Sequence, residues 1–241
     1  MVNYDLFARH YDAVMEEPKT KVAFIENFIN QQNPNAKKVL EIACGTGSVL
    51  KLLEKKYEVY GLDISTGMLH LAKKKVTSGK FFHQDITKFN IDEKFDIILC
   101  IFDSINHLLK FREWQKVFSR VNRHLVDDGI FIFDMNMQKK LDSHILEKPW
   151  VHRFGKNLLI MDVTDAGNKV SNWNVKVFEH QKRNIYKMYE ENIKEKAFPL
   201  SQVKKSLQKY FSSIQVMDTD QKLQSQQSNR LFLICKKFKK H

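Results

Sequence analysis

The stretch VLEIACGTGSVL at residues 39–50 decides which fold we expect for this chain. The apolar run at 37–43 predicts a buried strand, and a helical pattern begins at Ser48. Between them, Gly45 and Gly47 allow backbone conformations that other residues rarely adopt, and they leave room for a ligand. Such a turn suits a nucleotide-type ligand, because backbone N–H groups there can approach phosphate, ribose or carboxylate. A tight turn without a ligand has the same pattern, so this segment alone leaves both interpretations open.

Two common phosphate-binding motifs differ from this turn. A dinucleotide fingerprint requires a third Gly or Ala at the position where this chain has Leu50. A P-loop requires Gly-Lys-Ser or Gly-Lys-Thr, which is absent here. The pattern therefore disfavours pyrophosphate binding of either kind.

Two acidic residues lie at predicted strand ends close to the turn. Glu41 is near the end of the first strand, and the second strand, at 57–62, ends in Asp63. Open α/β sheets bind ligands at the carboxyl ends of their strands. Asp63 therefore suits hydrogen bonds to ribose hydroxyls, although Asp is also a common N-cap for a helix such as 65–76.

A third acidic position follows the next predicted strand. That strand, at 80–84, is followed directly by Asp85 and Ile86. An acid beside an apolar residue can hold an adenine amino group and cover the face of its ring. The glycine turn, Asp63 and Asp85 thus fall at successive strand ends, which predicts one site at one edge of a sheet.

These segments together resemble a known family. EIACGTG, GLDISTGML, HQDIT and FDIILCIFDSINHL follow one another as in class I S-adenosylmethionine-dependent methyltransferases. The resemblance runs from about Tyr4 to the C-terminus, and it is more specific for cofactor and fold than for substrate. It implies S-adenosylmethionine as the cofactor, with contacts from Tyr4, Tyr11, Glu41, Ala43, Cys44, Gly45, Thr46, Gly47, Asp63, Ile64, Met68, Asp85, Ile86 and Ile101.

Strand and helix patterns alternate from Lys37 to about Met135, which argues for a parallel sheet covered on both faces. With the resemblance, this predicts an α/β fold with a seven-stranded Rossmann-like sheet, mostly parallel with an antiparallel last strand. Asp128-Gly129 is expected to form the turn into the fifth strand. The predicted strands are 37–43, 57–62, 80–84, 95–101 and 129–135, and the predicted helices between them are 48–56, 65–76 and 111–125.

The pattern changes after the fifth strand. A short helix at 138–146 precedes four strand-like runs, with a hairpin turn at Asp165-Ala166-Gly167-Asn168. These runs predict an inserted antiparallel β platform above the carboxyl edge of the sheet. The runs are 150–154, 157–164, 169–179 and 182–195; a helix at 200–211 and an antiparallel edge pair at 214–217 and 231–236 complete the chain.

We expect one methyltransferase domain over residues 1–241, because the length suits one core. Its expected parts are N-terminal lid helices, a cofactor-binding α/β core, the inserted β subdomain, and a C-terminal helix with the last two strands. Their bounds are 1–35, 36–148, 149–198 and 199–241.

The N-terminal pattern Tyr4-x-x-Phe7-Ala8-x-x-Tyr11-Asp12 resembles the lid of methyltransferases that act on small amines and sugars. The resemblance implies that Tyr11 lies over the cofactor and the reacting centre, as a catalytic candidate. Tyr4 and Tyr11 share one face if the segment is helical. An amphipathic helix that buries its aromatic residues on the core is the alternative.

The segment after the fourth strand, IFDSINH at 101–107, is the expected acceptor wall. It places Asp103, Ser104 and His107 at the ligand edge, and FDSINHL resembles the corresponding loop of methyltransferases acting on amino sugars and small amines. His107 is a candidate general base near neutral pH. The alternatives are a histidine that bonds to backbone and an Asp103 that caps the next helical turn.

The last platform strand carries further polar candidates. Tyr186 and Glu190 share one face, while Tyr189 and Glu191 share the other, and the pattern does not say which face meets the pocket. Relatives often carry a histidine near position 193, where this chain has Ile193. A base contributed by that strand is therefore in doubt.

Several features exclude other chemistries. No proline follows the fourth strand, so the Asp/Asn-Pro-Pro-aromatic clamp for base amino groups is absent, and there is no Pro-Cys pair for a covalent cysteine route. No Cys, His and acid cluster has metal-ligand spacing, so no metal is expected. The three cysteines predict reduced thiols in a cytoplasmic protein.

The net charge of +12 attracts nucleic acid or acidic substrates, but a Lys-rich composition is the favoured explanation. No apolar run has the length of a membrane span, and the N-terminus resembles neither a signal nor a transit peptide. We therefore expect no membrane partner, and either a monomer or a homodimer. Nucleic acid is a possible but disfavoured partner.

Three functions remain open from the sequence. The first is methyl transfer from S-adenosylmethionine to nitrogen or oxygen of a small-molecule acceptor, mainly by positioning and desolvation. The second is an RNA or protein methyltransferase, which only the charge favours. The third is a non-catalytic protein that binds S-adenosylmethionine.

Overall fold

A computed structural model describes residues 8–15, 17–218 and 228–239 of the chain. Tyr4 lies outside the described residues, and so does the beginning of the predicted lid helix. The described helices are α1 Ala8–Val14, α2 Lys19–Gln32, α3 Ser48–Leu53, α4 Thr66–Lys75, α5 Phe111–His124, α6 Gln138–Leu146 and α7 Leu200–Leu207.

The strands divide into two sheets. The first five belong to the core: β1 Lys38–Ile42, β2 Glu58–Asp63, β3 Lys80–His83, β4 Phe95–Cys100 and β5 Leu125–Asn136. The next four form a separate platform: β6 Trp150–Phe154, β7 Asn157–Asp165, β8 Val170–Lys182 and β9 Ile185–Lys196. The last two return to the core: β10 Phe211–Asp218 and β11 Arg230–Lys237.

The core sheet has the order β10-β11-β5-β4-β1-β2-β3. Neighbours from β5 to β3 are parallel, whereas β11 runs antiparallel to both β5 and β10. The predicted seven-stranded sheet with an antiparallel last strand is confirmed. Because β11 lies between β5 and β10, the residue that begins it, Arg230, is hydrogen-bonded in register with Asn136 at the carboxyl end of β5.

The central strands are apolar on both faces because helices cover both sides of the sheet. Leu40 and Ile42 of β1 belong to the core cluster on one side, and Val39 belongs to the cluster on the other. Glu41 alternates with them and is also buried. A carboxylate in this layer needs a functional or structural partner, since burying an unpaired charge is costly.

The platform is an antiparallel sheet in the order β6-β7-β8-β9, as predicted. Its inner face carries a small apolar cluster of Leu159, Val175, Val177 and Ile193. Tyr11 and Val14 pack against that cluster, so α1 contributes to the contact of the platform with the rest of the chain.

Two local predictions were wrong. Asp128-Gly129 does not precede β5 but lies inside it, where the pairing with β4 jumps from Phe95–Leu125 to Ile97–Ile130. The extra residues of β5 interrupt the regular pairing with β4, and Asp128 adopts a left-handed conformation there, with a φ of 60°. The C-terminal helix ends at Leu207, earlier than predicted, because the chain is already extended at Phe211. Among the described residues, no helix is long and apolar enough to cross a membrane.

Candidate active site

The glycine turn lies at the carboxyl end of β1. Cys44 N–H donates to the Leu62 carbonyl at 3.0 Å, which joins the turn to the end of β2. Gly45 has a φ of +52°, and a Cβ built there would meet no atom within 4 Å. The turn therefore needs glycine for its backbone conformation and leaves open room beside Gly45, as a close ligand approach requires.

Gly47 has a different role from the one predicted. Its φ is +75°, and a Cβ there would lie 3.2 Å from both Ala72 Cβ and Val76 Cγ2 at the end of α4. Gly47 does not line the neighbouring cavities. Its smallness thus serves the turn and the packing of α4, and contact of Gly47 with the cofactor stays a prediction.

Asp63 connects the turn to the start of the next helix. Gly45 N–H donates to Asp63 Oδ2 at 2.9 Å, and Ser65 N–H donates to Asp63 Oδ1 at 2.9 Å. Burial raises the pKa of Asp63, while the backbone donors of Ser65 and Gly45 lower it. The N-cap of α4 is Ser65, whose hydroxyl accepts from Met68 N–H at 3.0 Å. The N-cap alternative for Asp63 is therefore wrong.

Glu41 is buried behind the turn. Its Oε2 has no hydrogen-bond partner among the described residues. Burial first, and then the charge of Asp63, raise the pKa of the Glu41 carboxyl well above its usual value. An isolated buried carboxyl is stabilised by a cationic or hydrogen-bond-donating ligand.

Two adjoining cavities surround these residues. The first measures about 340 Å³ and the second about 130 Å³. Of the residues predicted from the sequence, the first is lined by Tyr11, Glu41, Ala43, Cys44, Gly45, Thr46 and Ile101. The second is lined by Tyr11, Ala43, Gly45, Asp63, Ile64, Met68, Ile86 and His107.

Asp85 is the exception among the strand-end acids. It lines neither cavity, and its Oδ1 accepts from Thr87 N–H at 2.7 Å and from the Thr87 hydroxyl at 2.8 Å. Its carboxylate thus stabilises the turn after β3. Its neighbour Ile86 lines the second cavity, whereas contact of Asp85 with the cofactor stays a prediction.

Helix α1 lies over the glycine turn. Asp12 accepts from the Thr46 hydroxyl at 2.6 Å and the Ser48 hydroxyl at 3.1 Å, and it pairs with Lys75 at 2.6 Å. These bonds place Tyr11 on the wall of both cavities. Burial, followed by nearby carboxylates, raises the pKa of the Tyr11 phenol, so it stays protonated.

The loop after β4 has an uncommon backbone. Phe102 and Asp103 have φ values of 61° and 49°, a left-handed conformation that ordinary residues adopt at some energetic cost. Asp103 N–H donates to Asp134 Oδ1 at 2.9 Å, while its carboxylate accepts from Arg230 and from Asn136. Asp103 is therefore held by β5 and β11, and its side chain does not cap the following helical turn.

His107 lies on the wall of the second cavity. Its Nδ1 is 3.3 Å from the Lys194 carbonyl of β9, which can only accept a hydrogen bond. Nδ1 therefore carries the proton, and Nε2 holds the lone pair. Burial lowers the pKa of His107, although Asp103 opposes this shift, so the neutral form is favoured. His107 thus bonds to backbone and lines the site, and its role as a general base stays a prediction.

A third cavity, of about 180 Å³, lies between the core edge and the platform. Tyr11, Met15 and Phe102 line all three cavities. The apolar part of the third includes Trp150, Leu159, Met161, Trp173 and Ile193; the polar part is Asp103, Asn136, Lys140, Glu195 and Arg230.

Glu195, Asn136, Lys140 and Arg230 are site residues that the sequence did not predict. For Glu195 a signal was present, because period two along β9 places it on the face of Tyr189 and Glu191. That face meets the core, since Tyr189 packs in the inner cluster, whereas Glu190 bonds to Asn174 on the exposed face. Arg230 and Asn136 carried no such signal, because the antiparallel pairing of β11 brings them together. No group of three or more His, Cys, Asp or Glu that could hold a metal ion occurs within the described ranges.

Comparisons with known proteins agree with this site. The methyltransferase domain family matches residues 39–129, which span the glycine turn and the strand-end acids. The crystal structure of an S-adenosylmethionine-dependent methyltransferase from Clostridium acetobutylicum superposes with a TM-score of 0.84 and 25% identity, covering 98% of this chain and 99% of that chain.

Two curated relatives act on amino sugars according to their names. The dTDP-3-amino-3,6-dideoxy-alpha-D-glucopyranose N,N-dimethyltransferase of Streptomyces fradiae is 29% identical over 47% of this chain and 45% of its own length. The dTDP-3-amino-3,4,6-trideoxy-alpha-D-glucopyranose N,N-dimethyltransferase of Streptomyces venezuelae is 26% identical over 54% of each chain. The chain thus spans about half the length of these two relatives.

The match over residues 39–129, the fold and the turn indicate an S-adenosylmethionine-dependent methyltransferase. The residues present fit that cofactor: Gly45 leaves room for it, Asp63 lies at the end of β2, and Glu41 offers an unpartnered buried oxygen. When bound, the cofactor supplies an electrophilic methyl group.

Proposed function

We propose that the chain transfers a methyl group to the nitrogen of a small-molecule amine, with an amino sugar as the first candidate. The observation that carries this proposal is the third cavity, which adjoins the cofactor side through Tyr11, Met15 and Phe102. Its walls combine aromatic rings with carboxyls, which suits a polar ring that bears a cationic group. The two curated amino-sugar relatives support the same acceptor class.

The proposed mechanism relies on position and desolvation. Tyr11 and Phe102 lie between the cofactor cavities and the third cavity, so they can orient two reactants and exclude water. Asp103 is held by Arg230 and Asn136, which keeps the left-handed loop in one conformation. We assign Tyr11 and His107 to the wall of the reacting centre. His107 lines the cofactor side only, since it does not line the third cavity.

RNA is the less favoured acceptor. Carboxyls of Asp103 and Glu195 line the third cavity alongside Lys140 and Arg230, so the inner pocket is not a uniformly basic channel. A phosphate backbone requires a continuous basic surface. We propose that the net positive charge is compositional, and we keep a cytoplasmic monomer or homodimer as predictions from the sequence.

The direct test is methyl transfer from labelled S-adenosylmethionine to a defined panel. The panel contains the dTDP-linked 3-amino-3,6-dideoxyglucose, dTDP-glucose with a hydroxyl at that position, simple aliphatic amines, and RNA. Label in the amino sugar or amines but not in dTDP-glucose supports the proposal. Label in RNA alone favours the nucleic-acid alternative. Tight binding of S-adenosylhomocysteine without label in any acceptor favours the non-catalytic alternative.

A further inference from the structure

Two carboxyls line both the second and the third cavity: Asp103 and Glu195. They therefore stand where the cofactor side meets the acceptor side. Their surroundings differ. Asp103 forms an ion pair with Arg230 and accepts a further hydrogen bond from Asn136, so its charge is already compensated.

The negative charge of a Glu195 carboxylate is much less compensated by its neighbours. It is 6% exposed, and its Oε2 accepts one hydrogen bond, from Asn136 Nδ2 at 3.2 Å. Within the described part of the chain, no Lys, Arg or His forms an ion pair with it. Its other carboxylate oxygen, Oε1, accepts no hydrogen bond from the described residues, and the Glu195 side chain lines both cavities.

The charges around Glu195 come from four other elements. Asp103 of the loop after β4 repels its carboxylate, whereas Arg230 of β11 and Lys140 of α6 attract it, and Asn136 of β5 donates a hydrogen bond. Burial outweighs these effects and raises the pKa of Glu195 to about 8. The other titratable groups on the wall of the second cavity are Tyr11, Asp63 and His107.

A buried carboxyl in this situation gains most from an incoming cation or proton donor. An alkyl ammonium supplies both, because it carries positive charge and N–H donors. Its pKa, about 10 for an unperturbed alkyl ammonium, lies nearer to the raised pKa of Glu195 than to that of an ordinary carboxyl. Proton transfer to Glu195 therefore costs less than transfer to an exposed carboxylate, and it exposes the nitrogen lone pair.

We propose that Glu195 is a catalytic residue that receives the acceptor nitrogen, accepting its N–H at Oε1 and taking its proton. This proposal rests on the proposed amine methyltransferase function. The nitrogen lone pair forms the new N–C bond, the methyl carbon's bond to sulfur breaks, and its electron pair stays on sulfur. The proton that leaves nitrogen goes to the Glu195 carboxylate and then to solvent.

His107 is the competing base, and the cavities separate the two residues. His107 lines only the second cavity, and its Nδ1 bonds to the Lys194 carbonyl of the same strand that carries Glu195. Glu195 lines both cavities, so it alone of these two meets a nitrogen that enters from the acceptor side. We therefore assign the proton to Glu195 and a wall position to His107.

The test compares Glu195→Gln with Glu190→Gln, which alters the same strand on its exposed face. The probe is the amine of the panel that the wild type methylates fastest. Glu195→Gln should lower kcat/KM by about 100-fold at pH 7, the scale of a general base. The loss should shrink as the pH approaches the pKa of the free amine, because solution then supplies the neutral nitrogen. Glu190→Gln should keep the wild-type value and pH profile.

Two further measurements separate this idea from its alternatives. Calorimetry should give the same affinity for S-adenosylhomocysteine in Glu195→Gln and the wild type. The complex of Glu195→Gln with S-adenosylhomocysteine should bind the amine more weakly than the same complex of the wild type. If Glu195→Gln keeps the wild-type kcat/KM and pH profile, Glu195 is only structural, and the proposed function stands. If the wild type methylates no amine, both proposals are wrong.

A variant that retains the carboxylate covers the case in which Glu195→Gln does not fold. In Glu195→Asp the side chain is shorter by one methylene, so the carboxylate oxygens lie farther from the cavity, but a carboxylate base is still present. The substitution should lower kcat while keeping the wild-type pH profile. If the activity of Glu195→Asp instead rises with pH as the free amine loses its proton, the result would contradict the proposal.

Discussion

The cofactor edge and the acceptor edge of this protein are built in different ways. At the cofactor edge, the Gly45 backbone N–H donates to the Asp63 carboxylate, within a segment of consecutive strands. At the acceptor edge, Asp103, Arg230 and Glu195 come from a loop, the last strand and the inserted platform. The first edge is a local backbone design, whereas the second is an assembly of side chains that are distant along the chain.

This difference has consequences for substitutions. At the cofactor edge, a substitution either fills the space for the ligand or removes a hydrogen bond to the backbone. Its main effect is therefore on the affinity for the cofactor. At the acceptor edge, the changed groups are buried and charged, so pH dependence changes first. The following experiments test that contrast.

The largest expected effect is at Gly45. A valine there would occupy the open room beside the turn, so Gly45→Val should weaken S-adenosylhomocysteine binding by at least about 100-fold, or about 2.7 kcal/mol. Calorimetry measures this loss. The variant should retain a cooperative thermal transition.

Gly155 provides the control for backbone strain. It has a φ of +57° in the turn from β6 to β7, and a Cβ there also meets nothing within 4 Å. Gly155→Val should therefore have a similar folding penalty and normal binding. If both variants merely unfold, Gly45 is needed for the fold rather than for the ligand.

Asp63 should give the next largest effect on binding. Asp63→Ala should weaken binding of S-adenosylmethionine and its product by about 1.5–3 kcal/mol, the range for hydrogen bonds to a charged group. It should also lower stability, because Gly45 N–H and Ser65 N–H lose their acceptor. Asp85→Ala is the comparison, since Asp85 lines neither cofactor cavity. Unchanged affinity in Asp63→Ala would remove Asp63 from the site.

Glu195 should show the pH-dependent behaviour of the acceptor edge. Its pKa is raised to about 8, so the folded state holds a proton that the unfolded state has lost above about pH 4.5. Stability from this group therefore falls as the pH rises from about 4.5 to about 8.

Glu195→Gln removes this dependence, because the amide stays neutral. Denaturant unfolding should show similar stability of variant and wild type at pH 5, and a more stable variant at pH 9. The advantage of the variant should grow between about pH 4.5 and about pH 8, since each unit of the pKa shift corresponds to about 1.4 kcal/mol. Glu190→Gln should show no such trend. Parallel curves for Glu195→Gln and wild type would mean that Glu195 ionises normally.

The smallest expected effect is at Tyr11, which touches both edges. Tyr11→Phe keeps the ring and removes the hydroxyl, so turnover should fall about fivefold while stability changes little, consistent with one lost hydrogen bond. If α1 acts as a lid, hydrogen exchange over residues 8–15 should slow when S-adenosylhomocysteine binds. Asp12 already bonds to Thr46 and Ser48 in this structure. Slow exchange that does not change on binding would make α1 a permanent part of the core.

The sequence by itself determined the cofactor edge. Strand, glycine turn and strand-end acid succeed one another within a short segment, and parallel strands bring their carboxyl ends to one edge. Gly45, Asp63, Met68 and Ile86 therefore line the cavities as predicted. For Gly47 and Asp85, which line neither cavity, contact with the cofactor stays a prediction. Gly47 faces α4, and the Asp85 carboxylate bonds to Thr87.

Only the tertiary structure decided the acceptor edge. Arg230 reaches Asp103 because β11 inserts antiparallel beside β5, a pairing across 127 positions of sequence that no local pattern encodes. Which face of β9 meets the core was equally undetermined, since both faces carry Tyr and Glu; packing of Tyr189 against the inner cluster chose the face of Glu195. Backbone periodicity is local and can be read from the chain, whereas the burial and pairing of charges depend on which distant elements pack together.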